Sequence, residues 1–297
     1  FTHGWDDQLI DDVGYNLSIE NSPLVIGDTL WFANSGGLVQ GWDIAGLAIG
    51  IRPKRIFRYW VGDDVDATLV PDRDGMLYVA VEYERGTDRS HELGQVVKLD
   101  PSKPSDPLVW AIEARSEAPS GIWSTPAVHR DLLIVATDDG EVLGIDRAAG
   151  TVRWTLELPG PVWSSPTVVD DVLVIGDCAP AGRILAFDVA DTTVVPPLLW
   201  EVPTGACVEA SPAVWNGTVY IGGLVADDRS KDMKGQTEEI CAKLDALLAE
   251  AGTSKDKLLS AMIYATDFSQ KDGLNEAWTT WLDPEHLPVR AFIGVEI

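Results

Sequence analysis

A short pattern occurs five times along this chain and narrows what it can fold into. Two apolar runs hinged on a tight turn follow a Ser-Pro or its equivalent. The clearest copy spans residues 162–176, where Thr167–Val169 and residues 172–175 flank Asp170-Asp171. β-Branched runs split by such a pair predict a two-residue hairpin. The proline ahead of them fixes where the first strand begins, because it cannot donate to a ladder. Ser124-Thr125-Pro126-Ala127-Val128 leads in the same way to residues 132–136, and Ser22-Pro23-Leu24-Val25-Ile26 to residues 30–33. Ser211-Pro212-Ala213-Val214 leads to residues 218–221, and a degenerate copy, Ala67-Thr68-Leu69-Val70, to residues 76–81. The anchors stand roughly 40–58 residues apart, a period that points to propellers and solenoids.

Each unit continues alike. A Gly-containing turn leads to a third run closing on aspartate, at residues 38–43, 96–100, 142–146 and 184–188. A fourth run then carries a tryptophan: Trp60, Trp110, Trp154, Trp200. Four strands per unit is the build of a propeller blade. The segment Val142-Leu143-Gly144-Ile145-Asp146-Arg147-Ala148-Ala149-Gly150-Thr151-Val152-Arg153-Trp154 resembles the PQQ-like β-propeller repeat, in which such a run closes one blade and a Ser-Ser-Pro opens the next. The resemblance covers about residues 20–222 and implies about four blades, with loops expanded at 46–62 and 83–95. Closed propellers of that family usually have more blades, so the expected fold is an incomplete propeller. The resemblance by itself licenses no quinone, since such repeats also occur in proteins that bind none; with no vicinal cysteines in the chain, no cofactor is expected. Trp154, Trp163 and Trp200 recur at fixed repeat positions and read as packing between blades rather than as ligand stacking.

Charge and cysteine content narrow the function classes. The 297 residues carry a net charge of −25 and a pI near 4.3, which argues against nucleic acid and anionic membrane surfaces as partners. No apolar run reaches the roughly 18 residues of a membrane-spanning helix. Cys178, Cys207 and Cys241 are too few and too scattered for a disulfide framework or a zinc site. His3, His91, His129 and His286 are far apart in sequence, so no structural metal is expected. Asp72-Arg73-Asp74-Gly75 offers two carboxylates, yet calcium needs about six oxygens, and a Gly-closed turn is the simpler reading. Arg52, Lys54, Arg55 and Arg58 are the single basic cluster and read as a solvated strand face, with an anion or partner site as the alternative. Asn16-Leu17-Ser18 and Asn216-Gly217-Thr218 are read as incidental turns. The chain opens at Phe1 without methionine or signal peptide and stops at Ile297 inside a strand pattern, as a processed chain or a piece of a longer one would.

After Gly223 the alternation gives way to a helical period. Residues 235–251 place Ile240, Leu244, Leu247, Leu248 and Ala251 on one face, with Asp232 or Ser230 to cap the start and Gly252 to end it. A strand follows at 258–265, a second helix around Leu274, Trp278 and Trp281 that stops before Pro284, and a last strand at 288–297. This order is an α+β module rather than another blade. It resembles the Rid (YjgF) family over about residues 208–297. The matching residues are the hairpin through residues 218–228, Gln236-Thr237, residues 247–252, Tyr264, Asp267, Asn275, Trp278 and Pro288-Val289-Arg290-Ala291.

That resemblance implies a trimer of chorismate mutase-like modules and, in many members, hydrolysis of enamines and imines derived from amino acids. It also implies that Arg290 grips the substrate carboxylate, a role suited to the planar guanidinium fork. The other reading of Arg290 is a strand arginine paired with a nearby acid. The family's water-activating glutamate would lie beyond Ile297, Glu296 is too close to Arg290 to replace it, and Leu224 stands where many members carry glutamine. The arginine alone therefore implies binding rather than turnover.

The expected architecture is mainly β: PQQ-like propeller repeats over residues 1–210, then a Rid-like module over 211–297 that shares the strand at 211–223. Two functions compete. One is a scaffold whose propeller loops bind a protein or glycan partner and whose C-terminal module, trimeric, holds a small 2-oxo or 2-imino acid at Arg290. The other is a Rid-type imine deaminase carrying a propeller appendage. The propeller resemblance suggests a periplasmic or extracellular setting and the Rid resemblance a cytoplasmic one.

Overall fold

The computed structural model describes residues 18–114, 121–211, 213–215, 218–220, 225–250, 253–258, 260–265 and 267–294. The first sequon's Asn16, the second's Asn216, and Leu224, Gly252 and Glu296 lie outside them. The chain divides into two compact units, Phe1–Gly222 and Gly223–Ile297.

The first unit is built from four-stranded antiparallel sheets in simple up-and-down order. They are β1 (Leu24–Ile26) to β4 (Lys54–Trp60) with β2 (Thr29–Phe32) and β3 (Leu38–Asp43) between, then β5 (Val70–Pro71), β6 (Leu77–Ala80), β7 (Val96–Leu99) and β8 (Leu108–Ile112). The third sheet is β9 (Ala127–His129), β10 (Leu132–Ala136), β11 (Glu141–Asp146) and β12 (Val152–Glu157). The fourth is β13 (Thr167–Val169), β14 (Val172–Asp177), β15 (Arg183–Asp188) and β16 (Leu198–Pro203), followed by the hairpin β17 (Ala213–Trp215) and β18 (Thr218–Tyr220). A short helix, α1 (Asp88–Leu93), occupies the expanded loop of the second sheet, capped by Thr87, whose hydroxyl accepts from Ser90 N.

The expected hairpins form. Asp170 and Asp171 both take positive φ, 47° and 68°, and Val169 pairs with Val172 across the turn. A turn with two left-handed residues matches the twist of the flanking strands, and aspartate tolerates that conformation better than most side chains do. In the turn opened by Asp72, Oδ1 accepts from the backbone of Asp74 and Met76, and Gly75 closes it at φ 81°.

Cores lie between successive sheets. Trp31, Val39 and Phe57 of the first meet Leu77, Val79 and Val97 of the second. Tyr78 and Ala80 meet Leu133, Val135 and Ile145 of the third. Ile134, Val142 and Trp154 meet Leu173, Leu185 and Phe187 of the fourth. A row of hydroxyls also stitches each sheet to the next. Ser22 N donates to Thr68 Oγ1 (3.3 Å), Thr68 N to Thr125 Oγ1 (3.0 Å), Thr125 N to Ser165 Oγ (2.9 Å) and Ser165 N to Ser211 Oγ (2.8 Å). These five residues therefore hold one repeated position, the one marked in sequence by the Ser-Pro anchors.

The register corrects the tryptophan reading. All four sheets carry a bulge at the same place, and the residue facing it is Phe57, Trp110, Trp154 or Trp200, so Phe57 and not Trp60 is the first blade's counterpart. Trp154 is buried, and Trp110 packs on Gly150 of the following sheet while its Nε1 donates to Arg147 O (3.1 Å). Trp200, by contrast, is 46 % exposed. Among the described residues the hairpin after β16 brings no turn comparable to that of Gly150 to cover it.

The cysteine reading is also corrected. Cys178 and Cys207 form a disulfide across 29 residues, leaving buried Cys241 as the free thiol. The repeat brings them together. Cys178 stands where Glu82 stands two blades earlier, and Cys207 where Gly121 does, and Gly121 already packs against the backbone of Glu82. On β4, Lys54 and Arg58 are exposed and Arg55 is half-buried, as a solvated strand face requires.

The second unit contains α2 (Met233–Glu250), β19 (Ser260–Ala265), α3 (Lys271–Trp281) and β20 (Val289–Gly294), with β19 and β20 parallel. Asp232 caps α2, its Oδ1 accepting from Gly235 N (2.8 Å). The inward face of α2 is rotated from the expected one: Thr237, Cys241 and Leu248 are buried, while Ile240, Leu244 and Leu247 are half-buried. Cys241 packs with Trp278 and Leu282 beside α3, a small buried thiol that an aliphatic count overlooks. No helix among the described residues is long and apolar enough to cross a membrane.

Candidate functional site

The pairing of β19 with β20 sets Arg290 opposite Ala261. Helix α3 buries Leu274, Ala277 and Trp278, and its neighbouring positions Asn275 and Trp278, one turn apart, both reach the arginine. Arg290 Nη2 donates to Asn275 Oδ1 at 2.7 Å. The guanidinium carbon lies 5.7 Å from the centre of the Trp278 ring, within cation–π range. Nη1 is buried and has no hydrogen-bond partner. Among the described residues no carboxylate lies within 4.0 Å of this guanidinium, so an amide and a ring, not an acid, hold it in place.

Local chain chemistry keeps α3 where the site needs it. Asp267 Oδ1 accepts from Ser269 N (2.9 Å) and from its hydroxyl (2.6 Å) just before the helix, and these bonds hold the Asp267 carboxyl below its usual range. At the far end Lys255 Nζ donates to Trp281 O (2.6 Å), satisfying a terminal carbonyl and placing a cation where the helix dipole favours one. Of the residues that carry the family resemblance, Arg290, Asn275 and Trp278 are brought together. Gln236 instead ties down the start of α2, its Nε2 donating to Lys231 O (2.6 Å).

A separate cleft of about 200 Å³ between α2 and α3 is lined by Glu238, Cys241, Asp245, Ala277 and Trp281 among others. Burial pushes the Cys241 thiol up to about 11, so it is protonated at neutral pH and is no nucleophile. Asp256, Asp283 and His286 bring potential ligand atoms within 4.8 Å of one another, but all are exposed, and nothing further at the trio indicates an ion. The Asp72 carboxylate is already engaged, its Oδ2 accepting from Tyr78 Oη (2.9 Å) and Arg147 Nη2 (2.6 Å).

Comparison with known proteins finds two different families along the chain. Residues 92–231 match the family described as Outer membrane protein assembly factor BamB, and residues 204–297 match the family described as Endoribonuclease L-PSP. A RutC family protein of Haemophilus ducreyi is 36% identical over 85 residues, 29% of this chain and 73% of that protein. The RutC family protein YoaB of Escherichia coli is 32% identical over 80 residues, 27% of this chain and 69% of that protein. Among solved structures, BamB from Moraxella catarrhalis aligns at a TM-score of 0.50 and 20% identity, over 68% of this chain and 54% of BamB. A europium-containing methanol dehydrogenase aligns at 0.50 and 15%, over 67% of this chain and 44% of the enzyme. The chain thus spans about half the length of these propellers, and at such identities the likeness speaks for the fold alone. The two matched segments overlap over residues 204–231, where the sequence fits both a blade opening and the first Rid hairpin.

Proposed function

The chain belongs to the RutC family through its C-terminal segment, and from that premise we propose that this module binds a small 2-oxo or 2-imino acid at Arg290 while the propeller serves as a protein-binding scaffold. The observation that carries the reading is the state of the Arg290 fork. Asn275 holds one nitrogen, the Trp278 ring lies within cation–π range, and the buried Nη1 is left with an unused donor. A buried donor without a partner is costly, and a ligand carboxylate accepting from it would remove that cost. Bidentate geometry adds orientation to the charge pairing.

Binding and turnover are separate demands. The guanidinium can hold and orient a carboxylate, whereas imine hydrolysis also needs a group that moves a proton to or from water. Deaminase activity is therefore the second outcome to measure, not part of the binding proposal. Calorimetry with 2-oxobutanoate tests the first: Arg290→Ala should weaken binding at least tenfold with the helical circular dichroism unchanged. Equal affinity in the variant and the parent would remove Arg290 as the site. Association into trimers is part of the same reading, and light scattering should then return about three times the 32.2 kDa chain mass.

A further inference from the structure

The propeller carries a cluster of groups that the Arg290 site does not use. Two residues before each hydroxyl of the stitching row stand Glu20, Asp66, Trp123, Trp163 and Glu209, so these side chains hold equivalent places in successive blades. A second repeated position lies where the chain leaves the second strand of each blade. There Ser35, Glu82, Asp138 and Cys178 donate their amides to Ser18, Asp64, Gly121 and Pro161, at 2.8 to 2.9 Å. At the second blade both positions are acidic. Glu82 is 8% exposed and Asp64 6%, and Asp66 is half-buried. Burial and the neighbouring carboxylates raise the pKa of both Asp66 and Glu82 above the ordinary carboxylate range. Glu82 Oε1, Asp64 Oδ1 and Asp66 Oδ1 are buried without partners.

The charge is under-compensated. Arg85 Nη2 lies 3.7 Å from both Asp64 and Glu84, and its Nη1 lies 3.9 Å from Asp63. That guanidinium serves Asp63, Asp64 and Glu84, while Asp64 and Glu84 act on Glu82, and Glu20 and Glu84 on Asp66. Burial first, then the neighbouring carboxylates, pushes Glu82 up to about 9 and Asp64 up to about 7.

An aromatic platform adjoins these acids. Ile122 N donates to Val81 O (3.2 Å), and a Cβ on Gly121 would stand 2.6 Å from Glu82 Cα, so the chain passes into the third blade directly over Glu82. The next residue, Trp123, is 44% exposed and stacked on Trp163, their ring centres 5.3 Å apart and their planes 24° from parallel. Trp163 Nε1 donates to Asp138. Stacked rings beside unneutralised carboxylates suit one ligand chemistry, an organic cation with a flat or apolar stem. A hard metal ion would leave the exposed rings unused.

We propose that this face docks an arginine-bearing segment of a protein partner, a guanidinium entering among Asp64, Asp66 and Glu82 while its stem and flanking residues lie over Trp123 and Trp163. The proposal deepens the scaffold reading of the propeller and is independent of Arg290. Docking displaces the proton that burial keeps on Glu82, so it strengthens as pH rises from 6 to 9 and releases protons to the buffer.

The probe is tri-arginine amide, titrated into the full chain in 0.15 M salt, which screens loose attraction to an acidic surface. Calorimetry should show binding with proton release and a change in tryptophan emission. Trp123→Ala and Glu82→Gln should each weaken binding about tenfold, whereas Glu157→Gln, which removes an exposed charge from β12, should leave it unchanged. Equal losses from Glu157→Gln and Glu82→Gln would reduce the effect to net charge and overturn the proposal. So would calcium chloride competing fully with the peptide while Trp123→Ala has no effect, since that would mark a metal site. None of these outcomes bears on 2-oxobutanoate binding, so the two readings fail separately.

Discussion

Gly144 and Trp154 face each other across the β11–β12 ladder with no space between them: a Cβ on Gly144 would stand 2.1 Å from the indole. The bulge beside this pair recurs in each of the four-stranded sheets, and the Trp154 ring fills the space a side chain at residue 144 would need, being 4% exposed.

Gly144→Ala should therefore push the Trp154 ring out of the core between the third and fourth sheets. Overpacking of this kind costs about 3 kcal/mol. Urea unfolding should show the loss together with a red-shifted tryptophan emission. An unshifted midpoint would mean that the ring is not held as described.

The contact between the second and third sheets rests on Arg147. It reaches back to Asp72 Oδ2 (2.6 Å) and Tyr78 Oη (3.1 Å), and its carbonyl accepts from Lys98 Nζ (2.6 Å) and Trp110 Nε1. Asp72 is 1% exposed in its side chain, so Arg147→Ala leaves a buried carboxylate without its cation, a change that costs about 3–5 kcal/mol. Arg147→Met combined with Asp72→Asn should recover much of that loss. Failure of the double variant to recover stability would show that packing, not charge, carries the contact.

These particulars also show where sequence reading succeeds. The Asp170-Asp171 hairpin was legible because turn chemistry and β-branched flanks act within a few residues. The helix around Trp278 was legible from the spacing of Leu274, Trp278 and Trp281, whereas the meeting of Asn275 with Arg290 was not, because it joins a helix to a strand fifteen residues on. The Cys178–Cys207 bond was not legible, because no spacing rule covers it; the two residues approach only when successive blades stack in register. Phe57 was passed over for Trp60 because the bulge, invisible in sequence, decides which residue faces the core. Asp64, Asp66 and Glu82 were missed because two lie ahead of β5 and the third beyond β6, and only the folded hairpin brings them together.

Reduction of the disulfide gives a direct readout. Closing a loop of this length restrains the unfolded chain by about 3–4 kcal/mol. Dithiothreitol should lower the melting temperature of the propeller, and Cys178→Ser with Cys207→Ser should lower it similarly and abolish the response to reductant. Thiol titration in denaturant should find one group before reduction and three after it, matching free Cys241 and the bonded pair. Three reactive thiols in unreduced protein would refute the pairing.

The pH dependence of stability has opposite signs at two places. Asp72 is held below its ordinary range, with Arg147, backbone amides and Tyr78 outweighing burial, so its contribution is present above the ordinary carboxylate range and fades as pH falls through its lowered value. Glu82 and Asp64 behave in reverse. Their folded-state values are raised from 4.5 to about 9 and from 3.8 to about 7, so the folded state binds more protons than the unfolded chain between these limits. Their contribution is complete below about pH 4 and is lost as pH rises through 7 and then 9. The melting temperature of the propeller should accordingly fall between pH 6 and pH 10. Glu82→Gln, which keeps the shape and cannot ionise, should flatten the upper part of that fall, and Arg147→Ala should flatten only the acid side. An alkaline profile identical in parent and Glu82→Gln would mean that Glu82 is ionised in the folded protein at neutral pH and holds no proton for a ligand to displace.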